Sequence, residues 1–184
     1  MGSNSSKIEM KIMLKKGVVK MDKNMITAAY CGLFCESCTL YIGTKYDPKR
    51  IELLAIRRGK SLEDLHCAGC RSETLSYYCR DCKIKECIKN KALNFCSECS
   101  EYPCDILKEF QQEMPHRIEL FDSLDYINNN GFECWCKKMH EDYSCEKCGT
   151  INSAYDFECR NCGNTPSNEY IKRNKIKILQ GLKK

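Results

Sequence analysis

The chain has 184 residues and a formal net charge of +5, and 17 of its residues are cysteine. Its length fits one ordinary domain or two small ones and excludes the large enzyme folds. The hydrophobic fraction of 42% counts the cysteines; without them it falls to roughly a third, below ordinary globular usage, so a conventional core is thin and cross-links must supplement it.

Disulfides and metals are the two ways cysteine staples a chain, and the compartment decides between them. Lysines run through the first 25 residues, and the apolar run Ile12–Leu14 is far shorter than the core of a secretory signal. No run of about 20 apolar residues is long enough to span a membrane. A cytoplasmic protein is therefore expected, whose cysteines bind metal, and the odd count of 17 suits a complete disulfide framework poorly.

In chain order, residues 1–24 read as a disordered leader. Its opening, Met1-Gly2-Ser3-Asn4-Ser5-Ser6, matches a myristoylation pattern that small polar residues often match by chance. Residues 25–112 read as a cysteine-rich metal-binding domain. Within it Asp47 caps a helix that starts at Pro48, carries Ile51, Leu54 and Ala55 on one face and stops at Gly59; Ser61 opens a shorter helix. Ile106, Leu107 and Phe110 are helix-spaced, and Pro115 ends that segment.

Residues 113–142 read as a helical hairpin spacer. Ile118, Phe121, Leu124 and Ile127 recur up to the Asn128-Asn129-Asn130-Gly131 stop, and Phe132, Trp135 and Met139 follow on one face, with Trp135 a core anchor rather than a stacking platform. Residues 143–165 read as a zinc ribbon or zinc finger, and 166–184 as a basic tail that can form a helix carrying Ile171, Ile178, Leu179 and Leu182. The expected fold is thus mainly α, with a small metal-stapled N-terminal domain of irregular cysteine-rich loops and a short β zinc ribbon at the C-terminus.

The strongest signal is Cys145-x-x-Cys148-Gly149, nine residues, then Cys159-x-x-Cys162-Gly163. Each Cys-x-x-Cys pair makes a knuckle, the following glycine permits its turn, and two knuckles complete a tetrahedral thiolate site. The upstream cysteines allow several groupings. Cys67, Cys70, Cys82 and Cys87 are most simply one site, with Cys79 supernumerary, although a Cys79–Cys82 knuckle is almost as good. Cys96, Cys99 and Cys104 belong to another site, completed by Cys31, Cys35 or Cys38. Thiolate-only sites suit zinc and also iron–sulfur clusters. Cys31-x3-Cys35-x2-Cys38 has radical S-adenosylmethionine spacing, but the chain lacks the repeated strand–helix units of that barrel. His66, His116 and His140 read as solvated or hydrogen-bonded rather than ligating.

Six Lys/Arg against Glu169 in residues 167–184 account for the whole formal charge. Each zinc held by four thiolates adds −2, so three such sites would bring the total to about −1, and the body of the protein is not basic. No nucleophile triad, phosphate loop or nucleotide fingerprint is legible, which favours a binding or scaffold role with a protein partner over catalysis. An iron–sulfur or redox protein is the first alternative. The second is a nucleic-acid adaptor working through the ribbon and basic tail.

Two resemblances add to this. Cys148, Asn152 and Cys159 are spaced as in the Ran-binding-protein type of zinc finger, whose members bind single-stranded RNA or ubiquitin, although Tyr143 stands where that family has Trp. The run Tyr30-Cys31-Gly32-Leu33-Phe34-Cys35, Cys67-Ala-Gly-Cys70, Cys82-Lys-Ile-Lys-Glu-Cys87 and Cys96-Ser-Glu-Cys99-Ser-Glu-Tyr102-Pro103-Cys104 resembles the prokaryotic family called domain of unknown function 3795, over about residues 27–112. This resemblance implies a bacterial or archaeal cytosolic protein and supplies no activity. The C-terminal module looks like an extension seen in some members.

Overall fold

The computed structural model describes residues 23–183. The leader expected over 1–24 lies, apart from Lys23 and Asn24, outside them. Nine α-helices are named here: α1 Thr39–Lys45, α2 Pro48–Arg58, α3 Leu62–Leu65, α4 Tyr77–Arg80, α5 Lys83–Asn90, α6 Asp105–Gln112, α7 Leu120–Asn130, α8 Phe132–Tyr143 and α9 Glu169–Gly181. Short 3-10 turns at Cys35–Ser37 and Cys96–Glu98 carry cysteines between them.

Local chemistry sets the helix ends. The Asp47 side chain accepts from the Arg50 amide, Pro48 occupies the first turn of α2, and Gly59 stops it in the left-handed region at φ 57°. The Ser61 hydroxyl accepts from the Asp64 amide and so caps α3. Both starts are those the sequence predicts.

The core is built around α7, α8 and α9, with one buried cluster running from Met25 to Ile178. Trp135 of α8 is fully buried against Phe34, Phe95 and Phe132. Its indole donates to Ser123 Oγ at 2.7 Å, and that hydroxyl donates to the Gly32 carbonyl at 2.6 Å. The first cysteine loop is thereby pinned to α7. Gly32 is required there: its φ is +81°, and a Cβ would lie 2.7 Å from Leu124 Cγ.

Arg71 ties three cysteine-bearing segments together. Its guanidinium donates to the Ala28 carbonyl at 2.8 Å and the Asn94 carbonyl at 2.5 Å, and lies 4.0 Å from the Tyr30 ring centroid. Backbone pairing adds a further tie, the Cys96 amide donating to the Tyr30 carbonyl at 2.9 Å.

The described residues contain no β-strand, so the short β zinc ribbon expected at the C-terminus is overturned. Only an isolated bridge, Ser144 to Ile151, occurs there. The physical reason lies in the ten residues between the knuckles. Their backbone is spent on turns around Asn152, a wholly buried side chain that donates to the Thr150 and Ser167 carbonyls and accepts from the Arg160 amide. The segment 166–184 is also more than a basic tail. Asn168 caps α9 through the Ile171 amide, and Tyr170, Ile171, Asn174 and Ile178 are buried.

Candidate metal centre

Cys145 follows directly on the end of α8, and the two knuckles share one backbone pattern. The Cys145 amide donates to Thr150 and the Gly149 amide to Cys145; likewise the Cys159 amide donates to Asn164 and the Gly163 amide to Cys159. Gly149 and Gly163 sit at φ 70° and 72°, the left-handed conformation that the repeated Cys-x-x-Cys-Gly motif anticipates.

These turns bring the Cys145 and Cys162 sulfurs to 3.7 Å and the Cys148 and Cys159 sulfurs to 3.6 Å. All four lie within 4.8 Å of one another, forming a group that could hold a metal ion. A Zn–S bond of about 2.3 Å would place tetrahedral sulfurs roughly 3.8 Å apart, so the set fits a single zinc ion. Cys145 and Cys159 are buried while Cys148 and Cys162 face solvent.

Surrounding donors favour thiolates. The Thr150 hydroxyl and amide, with Asn161, bring the Cys148 thiol down to about 5. Burial works against the Cys159 thiolate, but the Cys162 and Asn161 amides outweigh it and lower its pKa. The Asn164 amide favours the Cys162 thiolate, yet its sulfur neighbours, Cys148 first, push that thiol up to about 12. Cys148 and Cys159 thus favour the thiolate form that metal binding requires. Asn152 Nδ2 also donates to Cys159 Sγ at 3.5 Å.

The module is docked on the rest of the protein. Arg50 of α2 forms a two-pronged pair with Asp156, at 3.1 and 3.0 Å. Thr39 Oγ1 and Ser153 Oγ are 3.0 Å apart, and His116 Nδ1 and Tyr155 Oη 2.6 Å. Tyr143 stacks on Tyr170 at 4.8 Å.

The upstream cysteines, from Cys31 to Cys104, are all free of disulfides. Cys38 precedes α1, Cys79 lies in α4, Cys82 precedes α5, Cys87 lies within α5 and Cys104 precedes α6. The Cys70 amide donates to Cys35 Sγ at 3.3 Å. Hydrogen bonding from Cys79, the largest cause, brings the Cys67 thiol down to about 6, while the Cys79 thiol is raised. Burial raises Cys31, whose sulfur neighbours are Cys70, Cys96 and Cys82. Burial likewise pushes Cys96 up to about 12, with Cys104, Cys87, Cys99 and Cys82 adding to the rise.

Cys79, which spacing leaves supernumerary, thus acts on the Cys67 thiol. Cys87 lines one cavity with Cys96, Cys99 and Cys104. His140 packs on Phe34 at 5.1 Å with Glu36 at 3.7 Å.

The structure defines a helical, cysteine-rich protein with a four-thiol group able to hold a metal. Residues 27–109 match the family model described as protein of unknown function (DUF3795), which supports the resemblance read from the cysteines of that region; the C-terminal module lies outside the matched residues. No curated protein and no solved structure matches the chain. Among the described residues no helix is long and apolar enough to cross a membrane.

Proposed function

We propose that the protein binds one structural zinc ion through Cys145, Cys148, Cys159 and Cys162, and that it serves as a binding or scaffold protein in a reducing cytoplasm. The four sulfurs within 4.8 Å of one another carry this reading. Four thiolates complete the tetrahedron and leave no position for water or substrate, so the ion's work is to hold the fold. Surrounding side chains support the same role: Asn152 contacts a sulfur, and Arg50, Thr39 and His116 fasten the knuckles to the helical body. A protein partner suits the charge distribution better than a nucleic acid. Arg173 in α9 is engaged by Glu119 and Asp142, and Lys172 by Glu169, so part of the basic segment is already neutralised.

The test is elemental analysis of the full chain with a zinc-specific chelation titration. One tightly held zinc should vanish on Cys159→Ser. A wild-type chain that retains no zinc after purification in zinc-containing buffer would sink the reading. Retention on RNA or DNA that falls steeply with salt would favour the nucleic-acid alternative.

A further inference from the structure

A second group of thiols meets away from the Cys145 set. Cys87 lies in α5, Cys96 and Cys99 bracket the 3-10 turn after it, and Cys104 stands at the start of α6. All four line one cavity of about 60 Å³, whose remaining walls are mainly apolar, among them Ile84, Ile88 and Leu107. The Lys91 ammonium reaches into the same place, donating to Cys99 Sγ at 3.2 Å while pairing with Glu101 at 3.0 Å.

Cysteines buried as small hydrophobes would be expected to fill the space between them. Here they surround an opening instead, and a cation sits on one sulfur. An ammonium at hydrogen-bond distance is the kind of donor that supports a ligand sulfur, and four sulfurs around one cavity suit a thiophilic metal. The chain makes this meeting cheap, because Cys96, Cys99 and Cys104 follow one another closely and one short loop returns them to Cys87.

We propose that Cys87, Cys96, Cys99 and Cys104 form a second four-thiolate metal centre, separate from the Cys145 site, which takes an iron–sulfur cluster. Loading exchanges the thiolate ligands of an incoming cluster for these four cysteines, whose protons pass to the departing thiols. Lys91 is a positioning residue that donates to one ligand sulfur. The sulfurs of the Cys145 set are the ones drawn within 4.8 Å among the described residues. The cavity at the second centre leaves room for a core larger than one ion.

The full chain, purified without oxygen, is analysed for zinc, iron and acid-labile sulfide, and its cysteines are alkylated and mapped by mass spectrometry before and after metal removal. Cys87, Cys99 and Cys104 should be protected together while metal is present and become reactive together when it is stripped. Cys99→Ser should lose one metal complement and keep protection at Cys145, Cys148, Cys159 and Cys162. Iron with acid-labile sulfide and visible absorption supports the cluster, whereas a second colourless zinc that depends on Cys99 overturns it. Lys91→Met, which leaves all four thiols in place, should keep the metal and release it to chelator several-fold faster. Alkylation of Cys87, Cys99 and Cys104 at the same rate before and after metal removal overturns the proposal, as does a full metal complement in Cys99→Ser. The same map reads the Cys145 site separately, so failure at one centre is distinguishable from failure at the other.

Discussion

Single side chains hold the joints of this protein. Gly32 combines a φ of +81° with a Cβ position 2.7 Å from Leu124 Cγ, so Gly32→Ala adds backbone strain to overpacking. The expected cost is about 2–4 kcal/mol, read as a lower urea midpoint. Asn152 is the hub of the knuckle module, its amide nitrogen directed to two carbonyls and the Cys159 sulfur. Asn152→Asp sets a carboxylate among those acceptors and should weaken metal retention about 10–100-fold in a chelator competition. His116 brings a pH dependence. Burial, with Arg117 nearby, brings its pKa from 6.5 down to about 4, so the fold holds it neutral. Between those values the unfolded chain binds this proton and the native state does not. The contribution is complete above pH 6.5 and is lost as pH falls towards 4, by ~3 kcal/mol in all. His116→Gln should flatten that part of the stability–pH curve, measured by denaturant midpoints at pH 7 and pH 4.5.

Among the elements, α9 matters most. Its Tyr170, Ile171 and Ile178 are inside the core, and Tyr170 Oη donates to the His116 carbonyl at 2.7 Å. Arg173 bridges Glu119 and Asp142, at 3.1 and 3.0 Å. Burial works against the Asp142 carboxylate, but the Arg173 and Lys138 hydrogen bonds outweigh it and keep its pKa below the ordinary value. At roughly 1.5–3 kcal/mol for each large apolar side chain buried, removal of residues 167–184 forfeits a large part of an ordinary domain's stability. The truncated chain should unfold at much lower denaturant, with Trp135 fluorescence shifting towards that of a solvated indole. A dispensable basic tail would leave that midpoint in place.

Across the whole molecule, the C-terminal thiol module is fastened to α1, α2 and α9 and to the loop between α6 and α7. Loss of its metal should therefore spread. In Cys159→Ser, hydrogen exchange should quicken across residues 144–165, through α9 and at the starts of α1 and α2 that hold Ser153 and Asp156, while α5 and α6 stay protected. Faster exchange confined to the ten residues between the knuckles would contradict this coupling. The sequence by itself determined what is local: Asp47-Pro48 and Ser61 as helix starts, Trp135 as a core anchor, and the paired Cys-x-x-Cys-Gly knuckles, since capping and turn chemistry act within a few residues. Only the tertiary structure decided which distant thiols meet, because spacing along the chain limits loop closure without choosing among near-equal partners. Cys87 shares a cavity with Cys96, Cys99 and Cys104, and the Cys70 amide reaches the Cys35 sulfur, where Arg71, Gly32 and Trp135 draw their segments onto one core. The ribbon expectation failed for the same reason: buried hydrogen bonds to Asn152 and docking onto the helices, rather than strand pairing, satisfied the backbone between the knuckles.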